Sequence, residues 1–138
     1  MGQLGDGTTT QRNSPVQIVS ANVTAVACGA SHSLFVKDDG SLWTMGRNLE
    51  GQLGDGTTSQ RNSPVKVVDA NVTAVTAGQN HNLFLKSDGS LWAMGKNDYG
   101  QLGDGSTTNR STPVKVADLI STIEQPYVAE TAADVTDN

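Results

Sequence analysis

Histidine is the side chain best suited to moving protons or holding a metal near neutral pH, and the chain has two, His32 and His81. They occupy matching frames, Gly29-Ala30-Ser31-His32 and Gly78-Gln79-Asn80-His81. Neither has a cysteine pair or a further histidine at metal-ligand spacing. A catalytic group is needed once, so a group that repeats with its surroundings reads as scaffold. Gly29, His32, Gly78 and His81 are therefore taken as structural, with each imidazole hydrogen-bonded near a turn. Gly51-Gln52-Leu53-Gly54-Asp55-Gly56 suggests a phosphate cradle but lacks the lysine of a phosphate-binding loop, so it is expected to be turn geometry. The same stretch lacks the alternating oxygen ligands and closing glutamate of a calcium loop. Asp6, Asp55 and Asp104 each precede an arginine by six residues, Arg12, Arg61 and Arg110, a spacing expected to brace a loop through charge-assisted hydrogen bonds. Asn22-Val23-Thr24 and Asn71-Val72-Thr73 match a glycosylation sequon only in form. The single cysteine, Cys28, excludes an intrachain disulfide and reads as a small buried residue. The expectation is a noncatalytic chain with no metal site and no cofactor.

The elements that position these residues follow from a repeat. Gly2-Gln3-Leu4-Gly5-Asp6-Gly7 recurs at Gly51–Gly56 and Gly100–Gly105, and 34 of the first 49 residues match those 49 positions later. Within a period, Val23–Cys28 reads as a strand of β-branched and small residues, followed by strands at His32–Lys37, Ser41–Met45 and Pro64–Val68. Asp39-Gly40 and Asp88-Gly89 favour tight hairpins between the second and third strands. An outer strand is expected at Pro15–Val19. Two blade-like units, about 21–68 and 70–117, then fill a repeat region spanning 1–118. Runs such as Ser33-Leu34-Phe35-Val36 are apolar on both pleat faces, so both faces of the sheet require cover. Small four-stranded sheets buried on both sides at this period are what propeller blades require. The first strand carries the smallest side chains and is placed at the axis. Trp43 and Trp92 are assigned to packing between blades. The fold class is all-β, with four-stranded antiparallel blades, about two of them plus partial blades. Two blades cannot close a ring, so further sequence or other copies joined head to tail must complete it.

Val26–Val36, with its glycine-histidine core, and Leu42-Trp43-Thr44-Met45-Gly46-Arg47-Asn48 followed by Gly51-Gln52-Leu53-Gly54, resemble the regulator of chromosome condensation repeat family. Val75–Leu85 is similar, with Asn82 where the pattern prefers a small or aliphatic residue. Met45 and Met94 stand where that family usually has a second aromatic. The resemblance covers roughly residues 2–118 and implies a β-propeller, commonly seven-bladed. The founding member's nucleotide exchange on a small GTPase and its chromatin binding rest on surfaces outside these motifs, and fold alone does not carry them over.

Partners are sought where the repeats disagree. Ala30, Ser31 and Ser33 become Gln79, Asn80 and Asn82 beside the inner turn, and Arg47, Leu49 and Glu50 become Lys96, Asp98 and Tyr99. Loops on a rigid frame are where recognition residues commonly lie, so these twelve are the candidate partner-binding residues. With 9 basic against 14 acidic residues and a net charge of −5, the chain has no basic patch to reward phosphates, and no nucleic-acid partner is expected. No apolar stretch approaches the ~20 residues of a membrane helix, so no membrane insertion is expected. Met1–Asp6 shows no secretory-signal pattern. Residues 119–138 depart from the repeat and carry Glu124, Glu130, Asp134 and Asp137 without a basic residue. They read as an acidic linker, or else as an arm docking Ile120, Ile123, Tyr127 and Val128 on a neighbour. The reading is a protein-interaction or scaffold module whose partner is a protein, including copies of itself; the alternative is a subunit assembling into rings or fibres.

Overall fold

In a computed structural model, residues 1–118 are described. They form eight strands, and no helix occurs among them: β1 Val23–Cys28, β2 His32–Lys37, β3 Leu42–Gly46, β4 Arg61–Val68, β5 Val72–Ala77, β6 His81–Lys86, β7 Ser90–Gly95 and β8 Arg110–Asp118. Each set of four makes one antiparallel sheet in sequence order, β1-β2-β3-β4 and β5-β6-β7-β8. These are blade 1 and blade 2. The proposals for residues 119–138 lie outside the described residues.

The β2–β3 hairpin shows how local chemistry sets the register. Gly40 has φ 80°, in the left-handed region that favours glycine, and its amide donates to the Lys37 carbonyl at 2.9 Å. Asp39 Oδ1 accepts from the Ser41 amide at 2.9 Å and from its hydroxyl at 2.6 Å, while Trp43 Nε1 donates to that hydroxyl oxygen at 2.9 Å. The turn thereby orients the tryptophan, which stacks on Phe35 with ring centroids 6.1 Å apart. Blade 2 repeats the whole arrangement through Asp88, Ser90, Trp92 and Phe84.

Each blade has a leading face, toward lower residue numbers, and a trailing face. Leu34, Val36 and Leu42 on the trailing face of blade 1 pack against Val72, Phe84 and Met94 of blade 2, with Ala25, Ala27, Val75, Ala77 and Trp92 at the edge of this cluster. Small residues on β1 and β5 let the innermost strands approach. Each large side chain removed from water here contributes about 1.5–3 kcal/mol before entropic costs. Backbone bonds also cross the junction, from the Val72 amide to the Gly40 carbonyl at 3.0 Å and from the Ala30 amide to the Gln79 carbonyl at 3.0 Å.

Three sequence expectations change. Pro15–Val19 forms no strand, because an outer strand needs a third strand to bond to and the described chain has none before it. Cys28 is exposed, as is Val26 at 72%, because both lie on the leading face of blade 1, whereas Ala25 and Ala27 face blade 2. The fourth strand starts at Arg61 rather than Pro64. Its proline sits where the pairing slips between Thr44↔Val65 and Gly46↔Arg61, an irregularity on the sheet's outer edge that spares the missing donor.

Candidate functional site

The inner turns, β1 to β2 and β5 to β6, lie at the same rim as the loops that leave β3 and β7. Gly29 N donates to the His32 carbonyl at 2.9 Å, and the imidazole packs directly on this glycine: a Cβ on Gly29 would lie 2.2 Å from His32 Cε1. This explains the glycine-histidine pairing physically. Gly78 stands to His81 in the same way.

Beyond the turn the two histidines part. His32 is fully buried, and its Nε2 donates to Asn82 Oδ1 at 2.8 Å across the blade junction. The Asn82 amide donates in turn to the Gln52 carbonyl, which fixes the carboxamide's orientation and leaves His32 Nδ1 unprotonated and unpartnered. Burial lowers the His32 pKa below the usual histidine value, so the ring is neutral at pH 7. His81 is half-buried, its pKa also lowered by burial, and among the described residues its imidazole has no hydrogen-bond partner.

Backbone bonds tie each inner turn to the loop beside it. The Arg47 amide donates to the Ser31 carbonyl and the Lys96 amide to the Asn80 carbonyl, both at 2.9 Å, and Gln52 Nε2 reaches Asn80 Oδ1 at 3.5 Å. The two groups of divergent residues therefore share one rim. On it, Ala30 and Gln79 are exposed, Leu49 is 66% and Tyr99 87% exposed, and two ion pairs flank them, Arg47–Glu50 at 3.0 Å and Lys96–Asp98 at 3.6 Å. Ser33 and Asn82 are not on the rim. Each lies one strand position past its histidine on the leading face, where Asn82 is fully buried and Ser33 half-buried.

Sequence reasoning missed the residues that hold these loops. Asn48, 1% exposed, donates through Nδ2 to the Thr57 and Ser59 carbonyls at 3.0 Å each and accepts from the Leu53 amide at 2.9 Å. Asn97 repeats this with Ser106, Thr108 and Leu102. Their only sequence signal was identity between repeats inside a long loop. The aspartate–arginine pairs close the same loops, with Arg Nε to Asp Oδ2 distances of 2.8, 2.8 and 2.7 Å for Asp6, Asp55 and Asp104. Hydrogen bonds from Thr8 and then Arg12 pull the Asp6 carboxyl down to about 2. Burial raises the Asp55 pKa, but hydrogen bonds from Thr57 and Arg61 outweigh it and leave a net lowering. Ser106 and then Arg110 lower Asp104. These carboxylates accept structural hydrogen bonds, and no cluster of three or more metal-ligating side chains occurs among the described residues.

The regulator of chromosome condensation (RCC1) repeat pattern matches residues 1–36, 39–85 and 88–129, and a second, shorter pattern of the same repeat matches 23–52 and 72–101. No curated protein sequence matches the chain. Among solved structures, human WBSCR16 is similar with a TM-score of 0.70 and 29% identity, over 84% of this chain and 32% of that one. Prp20p from Saccharomyces cerevisiae, described by its binding to Gsp1p and histones, is similar with a TM-score of 0.68 and 20% identity, over 84% and 32%. Yeast RCC1 (Prp20) in a complex with Kap60 gives 0.65 and 24%, over 74% and 24%. The chain thus spans about a third of the length of the first two. With repeat matches along most of its length and two sheets arranged as blades, the chain belongs to the regulator of chromosome condensation repeat family of β-propellers.

Proposed function

We propose that this chain is a noncatalytic protein-interaction module, a propeller segment that presents its inner turns and β3–β4-type loops to a protein partner. The observation that carries this is the exposure of Leu49 and Tyr99 on loops whose roots, Asn48 and Asn97, are buried and fully bonded. A large apolar side chain at the tip of a rigid loop costs solvation and adds nothing to the core, which is the profile of an interface anchor. Protein binding by Prp20p and by yeast RCC1 supports the reading by analogy. Of the groups able to do chemistry, His32 and the carboxylates of Asp6, Asp55 and Asp104 are engaged in structural bonds.

Photo-cross-linking tests this. A benzoylphenylalanine at Tyr99 of the full chain is expected to give protein adducts that excess unlabelled chain competes away. The same probe at Asp69, on the outer turn between blades, gives none. Equal labelling at the two positions, or no protein adduct at Tyr99, overturns the reading.

A further inference from the structure

The two rim loops hold their apolar tips differently. In the blade 1 loop the tip is Leu49, and the residue after it, Glu50, turns its carboxylate back into the loop. Glu50 Oε2 accepts from Arg47 Nη2 at 3.0 Å and Oε1 accepts from Gln52 Nε2 at 3.3 Å, while the Glu50 backbone amide donates to Gln52 Oε1 at 3.0 Å. Gln52 is fully buried, and two residues of blade 2 hold it: the Asn82 side-chain amide donates to its carbonyl, and its own Nε2 reaches Asn80 Oδ1 at 3.5 Å. Arg47 is tied from the other side, where its backbone amide donates to the Ser31 carbonyl at 2.9 Å. Leu49 therefore stands on a closed set of bonds that spans the blade junction, and it stays 66% exposed. The blade 2 loop has the same frame and different side chains. Tyr99 occupies the repeat position of Glu50, and Asp98 that of Leu49. The Tyr99 amide still donates to Gln101 Oε1 at 2.9 Å, but a phenol ring offers no carboxylate to Gln101 Nε2 or to Lys96. Lys96 pairs with Asp98 instead, at 3.6 Å, and Gln101 is only half-buried. The contrast comes from side-chain identity at one repeat position. It holds whatever packs on the trailing face of blade 2, where Leu83, Leu85 and Leu91 line a groove that no described residue covers.

We infer that Glu50 and Gln52 are positioning residues that preset Leu49 as a rigid anchor, and that the protein partner receives Leu49 in an uncharged apolar recess. An anchor already held in place spares binding the cost of ordering a loop. Tyr99, with no tie on its ring, is the adaptable contact, because an aromatic side chain adjusts at low entropic cost. The chemistry of the recess follows from the charges around the tip. Arg47 and Glu50 pair with each other at 3.0 Å, so no net charge borders Leu49. A charge buried opposite it would lose its hydration without gaining a counter-ion.

This inference rests on the rim reading, and hydrogen exchange of the full chain tests the positioning without any partner. Glu50→Tyr, which places the blade 2 residue in the blade 1 loop, is expected to lower the protection of the residue-50 amide about fivefold while the urea midpoint stays in place. Glu50→Gln keeps an oxygen for Gln52 Nε2 and loses about twofold at most. In the Tyr99 cross-linking experiment, unlabelled chain carrying Glu50→Tyr competes about fivefold less well than the wild type. Competition by the wild-type chain changes by about twofold at most from low to high salt, because the recess is uncharged. Protection unmoved by Glu50→Tyr, equal losses in Glu50→Tyr and Glu50→Gln, undiminished competition by Glu50→Tyr, or competition that collapses in high salt overturns the inference. Normal Tyr99 adducts with unmoved protection reject the positioning alone, whereas absence of any Tyr99 adduct rejects the rim reading and the recess with it.

Discussion

Blade 1 and blade 2 share most of their sequence, yet one trailing face is dry and the other open. His32 is sealed and bonded to Asn82, while His81, on the same glycine-histidine turn, is half-buried and without a partner among the described residues. Nothing in either blade's own residues causes this. It follows from what lies alongside, so burial in this fold is a property of junctions, and a blade's sequence specifies only which faces need cover.

The sharpest way to break this comparison is to truncate across it. Phe84→Ala, in the junction core, is expected to cost about 3–5 kcal/mol in urea unfolding. Leu83→Ala, its neighbour on the open face, is expected to cost about 1 kcal/mol, because much of that side chain is already solvated. Equal losses would mean that the two faces are equally covered.

Polar groups come next. Asn82→Ala leaves His32 Nε2 without its acceptor in a buried site and is expected to destabilise by about 1–3 kcal/mol. Ser33→Ala, at the equivalent but half-buried position, stays within about 0.5 kcal/mol. A smaller effect is pH-dependent. Burial holds the His32 pKa below its unfolded value of 6.5, so the unfolded chain binds protons that the folded one refuses. Stability is therefore full above pH 6.5 and declines as pH falls through the His32 pKa. His32→Gln lowers stability overall but flattens that slope, as thermal melts between pH 7 and pH 5 would record. At lower pH still, Asp6, with its pKa near 2, supplies stability that is present above the unfolded carboxylate range near 3.8 and lost as pH drops toward 2. The smallest effect is expected from Arg61→Ala. The arginine side chain is 40% exposed in its pair with Asp55, so its loss costs at most about 1 kcal/mol and fades in high salt.

Much of the frame could be read from residues. The repeat, the strand starts at Val23 and His32, and the Asp-Gly hairpins all follow from local preferences that hold wherever the blade sits. What could not be read depended on neighbours. Cys28 looks like any small residue on a strand, and only the lack of a described blade on its side exposes it. Pro15–Val19 has the composition of β4 but no strand to pair with. Asn82 looked like a variable loop residue, yet the pleat turns it into the junction, where its carboxamide meets His32. Asn48 and Asn97 were passed over because an asparagine in a loop ordinarily signals a turn, whereas here the side chain substitutes for backbone partners over eleven residues. On the rim, Leu49 and Tyr99 were flagged by their variation alone; their exposure required the folded loop.

The measurement that bears most directly on junction-made burial is the separate titration of the two imidazoles by NMR in dilute solution. The account predicts two distinct curves, and Asn82→Ala, which removes the hydrogen bond that raises the His32 pKa against its burial, moves the His32 curve lower while leaving that of His81 in place. Superimposable curves in the wild-type chain would contradict it.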